Sequence, residues 1–118
     1  MKEIKAFIRP VEFNDVFGAL KDEGYCCVTV TETEGTGHYS DPEELEYPSS
    51  RIPYMHSKIL KLEIIAKDVD VNNIVEIIKK HGRTGKRGDG IICIINIERA
   101  IHIRTGSEGE EILNMSKS

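Results

Sequence analysis

The feature that most constrains the fold is an order of strand, helix and strand that occurs twice along the chain. In the first half, apolar and polar residues alternate over residues 4–9, and Pro10 ends this strand. Apolar residues then recur at helical spacing over residues 13–20, and Gly24 follows as a helix stop. The β-branched stretch 25–34 predicts a second strand.

The second half repeats this order. Residues 58–68 alternate as in a strand, residues 71–78 carry an apolar helical stripe, and residues 91–97 form an apolar run typical of a buried strand. Residues 101–104 predict a short additional edge strand. Two units of this size predict an α+β domain, a ferredoxin-like βαββαβ sandwich whose antiparallel sheet is covered on one face by two helices.

The other face of the predicted sheet carries a mixture of polar and apolar residues. By strand alternation it holds Phe7, Cys27, Thr29, Lys61 and Glu63. A face of this kind is one that a homo-oligomer can bury.

Length and charge narrow the class of protein. A chain of 118 residues predicts a single domain spanning 1–118, and a net charge of −4 gives no reason to expect nucleic acid as a partner. The apolar run 91–95 is too short to cross a bilayer, and residues 1–3 do not resemble a signal peptide. These features predict a cytoplasmic protein.

The cysteines predict reduced, mostly buried thiols. Cys26 and Cys27 are adjacent, so a disulfide between them would be strained, and Cys93 lies in an apolar run. No metal site is predicted, because metal-ligand spacing is also missing among three histidines, His38, His56 and His81.

Residues 35–57 have no sustained periodicity and contain three prolines, Pro42, Pro48 and Pro53. Unstructured segments of this length inside a compact domain are usually functional or disordered. The composition favours a segment that becomes ordered on a partner, and a solvated hairpin tip is the alternative.

The glycine-rich stretch 83–91, RTGKRGDGI, has two interpretations on its own residues. Glycines allow backbone amides to approach an anion, which favours a phosphate cradle, but the same residues also suit a plain turn. It is not a Walker A loop, because Gly85-Lys86 is followed by Arg87.

Four segments, in order and at the right separations, resemble the PII signal-transduction family: MKEIKAFIRP, VTVTETEGTG, RTGKRGDG and IHIRTGSEGEE. The resemblance implies a homotrimer with nucleotide sites in the clefts between subunits. It defines a T-loop at residues 37–57, a B-loop at residues 82–91 and a C-terminal segment at residues 98–118. The implied function is nitrogen-related regulation of a membrane transporter or cytosolic enzyme through the T-loop, without catalysis.

The resemblance also implies particular roles for residues. The implied effector is an adenine nucleotide (ADP, ATP or AMP), with Arg104 reaching in from the neighbouring subunit and Thr29 near the adenine. The implied nucleotide-binding residues are Thr29, Gly35, Thr36, Gly37, His38, Ile65, Arg83, Thr84, Gly88, Asp89, Gly90, Ile91, His102 and Arg104. The residues implied to contact the partner are Tyr47, Arg51 and Tyr54.

The phosphate site departs from the family pattern at two positions. Ile91 stands where relatives have lysine, and His102 stands where they have the first of two arginines. At roughly 1.5–3 kcal/mol for each charge-assisted hydrogen bond, the loss is on the order of 3–5 kcal/mol of binding free energy, or two to three decades of affinity. We therefore expect mono- or diphosphate nucleotides to be favoured more than in relatives.

The T-loop also departs from the family pattern. Tyr39 replaces the glutamine that helps relatives to hold Mg²⁺, and a neutral phenol is a poor ligand for a hard cation. This disfavours binding of Mg²⁺ and 2-oxoglutarate. The tyrosine that is uridylylated in many enteric-type relatives falls at Arg51 or Ile52, which excludes that modification there.

Two alternatives remain at the level of sequence. One is a weak nucleotide-hydrolysing enzyme with Asp89 or Glu63 as general base. The other is a trimeric interaction protein whose nucleotide pocket is vestigial.

Overall fold

The computed structural model describes residues 1–25, 27–37, 41–48 and 54–113. The elements are β1 (Lys2–Ile8), α1 (Phe13–Asp22), β2 (Thr29–Gly35), β3 (Ser57–Ala66), α2 (Asp68–Gly82) and β4 (Ile92–Asn96), with 3-10 turns at Pro10–Glu12 and Glu110–Leu113. The strands form one antiparallel sheet in the order β2-β3-β1-β4. The prediction of a ferredoxin-like βαββαβ fold is confirmed. Within the described ranges, no helix has both the length and the apolar character needed to span a membrane.

The core lies between the sheet and the two helices. Alternate residues of β1 and β3 point into it, as the period of two requires, and both helices contribute one apolar stripe. Its fully buried side chains include Ile4, Leu62 and Ile64 from the sheet and Val16, Leu20, Ile74 and Ile78 from the helices.

The face of the sheet opposite the helices is mixed in character, as predicted. The strand register pairs Phe7 with Lys61 and pairs Glu63 with Thr29, which places all four on this face. Ile65 also lies there and leaves 39% of its surface exposed. This face is referred to below as the open face.

The second strand begins later than predicted, at Thr29 rather than at residue 25. Tyr25 instead belongs to the connection after α1: its amide donates to the Leu20 carbonyl oxygen at 2.9 Å. Its hydroxyl accepts a hydrogen bond from Asn73 Nδ2 of α2 at 3.0 Å. Contact with the helices, which strand propensity cannot anticipate, therefore decides where β2 starts. Cys27 lies in the same connection and is exposed, so its predicted burial is wrong.

The predicted edge strand at residues 101–104 is also wrong. The His102 amide donates to the Ser107 carbonyl oxygen at 2.7 Å, and the Gly106 amide donates back to the His102 carbonyl oxygen at 2.8 Å. These bonds close a turn, and Ile101 makes an isolated bridge with Glu108. The backbone groups that a strand would offer to the sheet are thus used locally, so His102 and Arg104 do not share a strand face.

Candidate functional site

The stretch 83–90 is a turn between α2 and β4 that is organised around the carboxylate of Asp89. This carboxylate accepts hydrogen bonds from the Thr84 amide at 2.9 Å, the Thr84 hydroxyl at 2.7 Å and the Gly85 amide at 2.8 Å. Arg9 Nε donates a further bond at 2.8 Å. Asp89 therefore acts as the internal anchor of the B-loop.

The same contacts set the charge state of Asp89. Burial by itself would raise the pKa of the carboxyl group, but the hydrogen bonds from Arg9, Thr84 and Gly85 outweigh it and lower the pKa to about 2. Asp89 is consequently a fixed negative charge at neutral pH.

Glycine is required at two positions of this loop for different reasons. Gly88 has φ +107°, and a Cβ there would lie 2.8 Å from the Cα of Asp41. A Cβ on Gly90 would lie 2.0 Å from the carbonyl oxygen of Phe7, which leaves no room for any side chain. The Gly-Asp-Gly sequence is thus explained by the packing of the loop against β1 and the T-loop.

A buried arginine joins the B-loop to the T-loop. Arg9 is only 9% exposed, and besides Asp89 it donates from Nη2 to the carbonyl oxygen of Arg87 at 2.7 Å. Its Nη1 binds the carboxylate of Asp41 in the T-loop. Sequence reasoning missed Arg9 as a functional residue, because it completes the alternation of the first predicted strand and its acidic partners are distant in the chain.

Two cavities lined by described residues adjoin these loops. One, of about 390 Å³, is lined by the B-loop residues Arg83, Asp89, Gly90 and Ile91 together with Phe7 and neighbouring side chains. The other, of about 310 Å³, lies at the base of the T-loop, where Gly35 and Thr36 line it. Phe7 borders both cavities, so the predicted B-loop residues and Gly35 and Thr36 lie in two cavities that share this side chain. Sequence reasoning did not predict a role for Phe7 at the site.

Thr29 and Ile65 lie elsewhere on the open face. They line a third cavity, of about 360 Å³, together with Glu3 and Glu63. Thr29 and Gly35 are the two ends of β2, so about 20 Å separates them at the usual rise per residue. One chain therefore does not gather all the predicted nucleotide-binding residues at one point.

The remaining predicted residues lie on loops. Arg104 is exposed in the C-terminal turn, and His102 is half-buried, with Nδ1 3.3 Å from the Thr105 hydroxyl. Gly37 is exposed and has φ +73°. The predicted partner residues Tyr47 and Tyr54 are 83% and 69% exposed. Two further predicted residues, His38 and Arg51, lie outside the described residues.

Comparison with known proteins agrees with this architecture. The family model described as "Nitrogen regulatory protein P-II" matches residues 1–107. Proteins named nitrogen regulatory protein P-II from Pasteurella multocida (strain Pm70) and Haemophilus influenzae (strain Rd) are each 38% identical over 117 residues, covering 96% of this chain and 100% of the relative. The protein of that name from Rhodospirillum rubrum is 35% identical over 113 residues, with the same coverage. This chain therefore belongs to the nitrogen regulatory protein P-II family.

Proposed function

We propose that this protein is a cytoplasmic homotrimeric regulator that binds an adenine nucleotide between subunits and controls a partner protein through its T-loop. Proteins of this family are signal-transduction regulators rather than enzymes, and they generally bind adenine nucleotides as effectors. The observation that carries the proposal for this chain is the link from Asp89 through Arg9 to Asp41, which couples the B-loop to the T-loop.

The phosphates would bind on the side of the B-loop formed by residues 87–90, where the Asp89 amide already donates to the Lys86 carbonyl oxygen at 3.3 Å and the Gly88 and Gly90 amides are the candidate donors. The amides of Thr84 and Gly85 already donate to Asp89, and the Lys86 amide donates to the Thr84 hydroxyl at 3.1 Å. We therefore assign Thr84 to the support of the loop. Arg83 is exposed beside the adjoining cavity and would supply positive charge. Ile91 adds no positive charge that could bind a further phosphate, so the site favours nucleotides with fewer phosphates.

A complete site would need two chains. The B-loop and Gly35 would bind the phosphate end of the nucleotide, whereas Thr29 and Ile65 would come from the neighbouring subunit, since about 20 Å of β2 separates Thr29 from Gly35. Arg104 and His102 would come from that neighbour as well. The open face, with Ile65 and Ile95 each about two-fifths exposed, supplies apolar area for such an assembly.

Control of the T-loop follows from the position of Arg9. A nucleotide that moves the B-loop carbonyl oxygen bound by Arg9, or whose phosphate competes with it for the guanidinium, would change how firmly Arg9 holds Asp41. Such a nucleotide binds two states of the T-loop with different affinities, and this difference shifts their populations. The exposed Tyr47 and Tyr54 are the side chains that we assign to the partner.

The geometry does not favour the hydrolytic alternative with Asp89 as general base. Its carboxylate accepts several hydrogen bonds and its pKa is lowered to about 2, which makes it a weak base at neutral pH.

The test is calorimetric titration of the purified protein with AMP, ADP, ATP and cyclic AMP, with its oligomeric state determined by light scattering. We expect a trimer that binds AMP or ADP at least as tightly as ATP. A monomer, or a trimer that binds none of the four, would contradict the proposal, and a clear preference for ATP would contradict the phosphate assignment. Affinity capture with and without ADP, with a T-loop-deleted chain as control, would then identify the partner.

A further inference from the structure

We propose that Glu34, Glu46 and His56 form a binding site for a divalent transition-metal cation such as Zn²⁺. The ligand atoms of these three side chains lie within 4.8 Å of one another. Among the residues assigned above to nucleotide contacts, none is a member of this group. The site would therefore stand even if the protein bound no nucleotide.

The fold brings these three residues together from three segments. Glu34, near the end of β2, pairs with Lys58 of β3, so His56, two residues before Lys58, lies diagonally opposite Glu34 on the same face. Glu46 reaches His56 from the other side: the Glu46 amide donates to the His56 carbonyl oxygen at 2.6 Å. His56 is thus held between two carboxylates by backbone pairing.

The tautomer of His56 follows from its surroundings. Its side chain is 5% exposed, and its Nδ1 lies 2.7 Å from the carbonyl oxygen of Tyr54, a group that can only accept. Nδ1 therefore carries a proton and donates to this oxygen. In the neutral imidazole, Nε2 is then an acceptor, as is usual for metal-binding histidines whose other nitrogen is bonded to a backbone carbonyl.

Three acceptors consequently converge on one point. The Nε2 atom of His56 lies 3.2 Å from Glu46 Oε2 and 3.7 Å from Glu34 Oε2. A proton on Nε2 or a metal ion between the three acceptors would relieve their mutual repulsion. The Lys58 ammonium, 3.9 Å from Glu46 Oε1 and 69% exposed, is too distant and too solvated to neutralise the cluster.

The distances suit a metal. Ligands at the bond lengths of Zn²⁺ sit about 3.4 Å apart around a tetrahedral ion. The two separations from His56 Nε2 lie on either side of this value, and the two carboxylates lie within 4.8 Å of each other, so small rotations of the partly exposed glutamate side chains would complete the site. One imidazole with two carboxylates favours zinc or a neighbouring transition metal over Mg²⁺ or Ca²⁺, which prefer oxygen ligands alone. A fourth position would be open to water. The bound ion would tie the end of β2 to two points of the T-loop, Glu46 and His56, and so restrict the T-loop.

The test uses the tag-free, chelator-treated full chain without nucleotide, titrated with Co²⁺ and followed by its visible d–d absorption, with Zn²⁺ as competitor. We expect one Co²⁺ for each chain and displacement by Zn²⁺. Glu34→Gln and Glu46→Gln each remove one ligand and should weaken binding at least about tenfold, as the loss of even outer-shell partners commonly does. Both side chains are partly exposed, so these variants should fold.

Two control variants are Glu44→Gln, in the same loop, and His81→Gln, at the end of α2, and both should leave the Co²⁺ affinity within about twofold of the unaltered chain, because neither removes a ligand. Several outcomes would overturn the proposal: no saturable binding, equal affinity in the Glu46→Gln variant, an equally large loss in a control, or Mg²⁺ binding as tightly as Zn²⁺. Absence of Co²⁺ binding together with a nitrogen NMR spectrum that shows a protonated Nε2 at neutral pH would establish an imidazolium–carboxylate pair in its place.

Discussion

The Nε atom of Arg9 lies 2.8 Å from Oδ1 of Asp89, although 80 positions separate the two residues in sequence. The same guanidinium binds Asp41, so one buried cation joins the end of β1, the B-loop and the T-loop. The two loops are therefore linked through a single side chain.

Replacement of Arg9 with alanine should destabilise the fold strongly. It leaves Asp41 and Asp89 partly buried without their cation, and breaking a buried pair in this way typically costs about 3–5 kcal/mol. Urea unfolding at a fixed protein concentration measures the effect. Arg99→Ala removes a surface pair with Glu108 and should cost less than about 1 kcal/mol. Equal losses in the two variants would disprove a special role for Arg9.

A double variant tests whether Arg9 acts through Asp89. If the two side chains stabilise each other, Arg9→Ala combined with Asp89→Asn should cost less than the sum of the single changes, by on the order of 1–3 kcal/mol. Strict additivity of the two unfolding free energies would show that the contact contributes nothing by itself.

Asp89 should also make the free energy of unfolding depend on pH. Its pKa falls from 3.8 to about 2 on folding, so its contribution is fully present above pH 3.8 and disappears as the pH drops toward 2. The shift corresponds to about 2 kcal/mol, of which about half is lost by pH 3. Denaturant unfolding at pH 6 and pH 3 should therefore show a smaller acid loss for Asp89→Asn than for the unaltered chain. An identical pH dependence would refute this assignment.

The substitution Gly90→Ala should lower the stability of the protein by disrupting the contact between the B-loop and β1. The new Cβ would lie 2.0 Å from the Phe7 carbonyl oxygen, so the backbone must move, at an expected cost of about 1–3 kcal/mol. Gly18→Ala is the matched control, because nothing lies within 4 Å of a Cβ there and alanine favours a helix by roughly 0.5–1 kcal/mol. Thermal unfolding should move in opposite directions for the two variants. A stable Gly90→Ala protein would show that the loop adapts.

Restoring the cation after the Gly-Asp-Gly sequence should raise affinity for ATP. Ile91→Lys adds an ammonium beside the B-loop cavity, worth roughly 1.5–3 kcal/mol if it binds a phosphate, or about ten- to a hundredfold in affinity. Val69→Lys, which adds the same charge at a site 85% exposed on α2, should change the affinity little. Calorimetric titration of both variants and of the unaltered chain with ATP and with AMP measures these affinities. A gain equal for both nucleotides would argue against contact with the terminal phosphates.

Local patterns were sufficient to predict much of this protein. The repeated order of strand, helix and strand, and the periods of two and 3.6 residues within it, predicted the sheet, both helices and the side chains that fill the core, because burial of one face imposes these periods on the sequence. The family also followed from contiguous segments, because the residues of the B-loop and of the end of β2 are each adjacent in the chain.

Contacts between distant segments had to be seen in three dimensions. The sequence by itself determined the two helices, the four strands of the sheet and the glycine-rich turn after α2, since these depend mainly on near neighbours, but not the start of β2 or the turn at residues 101–108. Only the tertiary structure decided that Arg9 is buried between two aspartates and that His56 faces Glu34 and Glu46. The physical reason is that the role of a charged group or an imidazole depends on the groups around it. The fold brings these groups together from distant positions, so no regular spacing in the sequence predicts them.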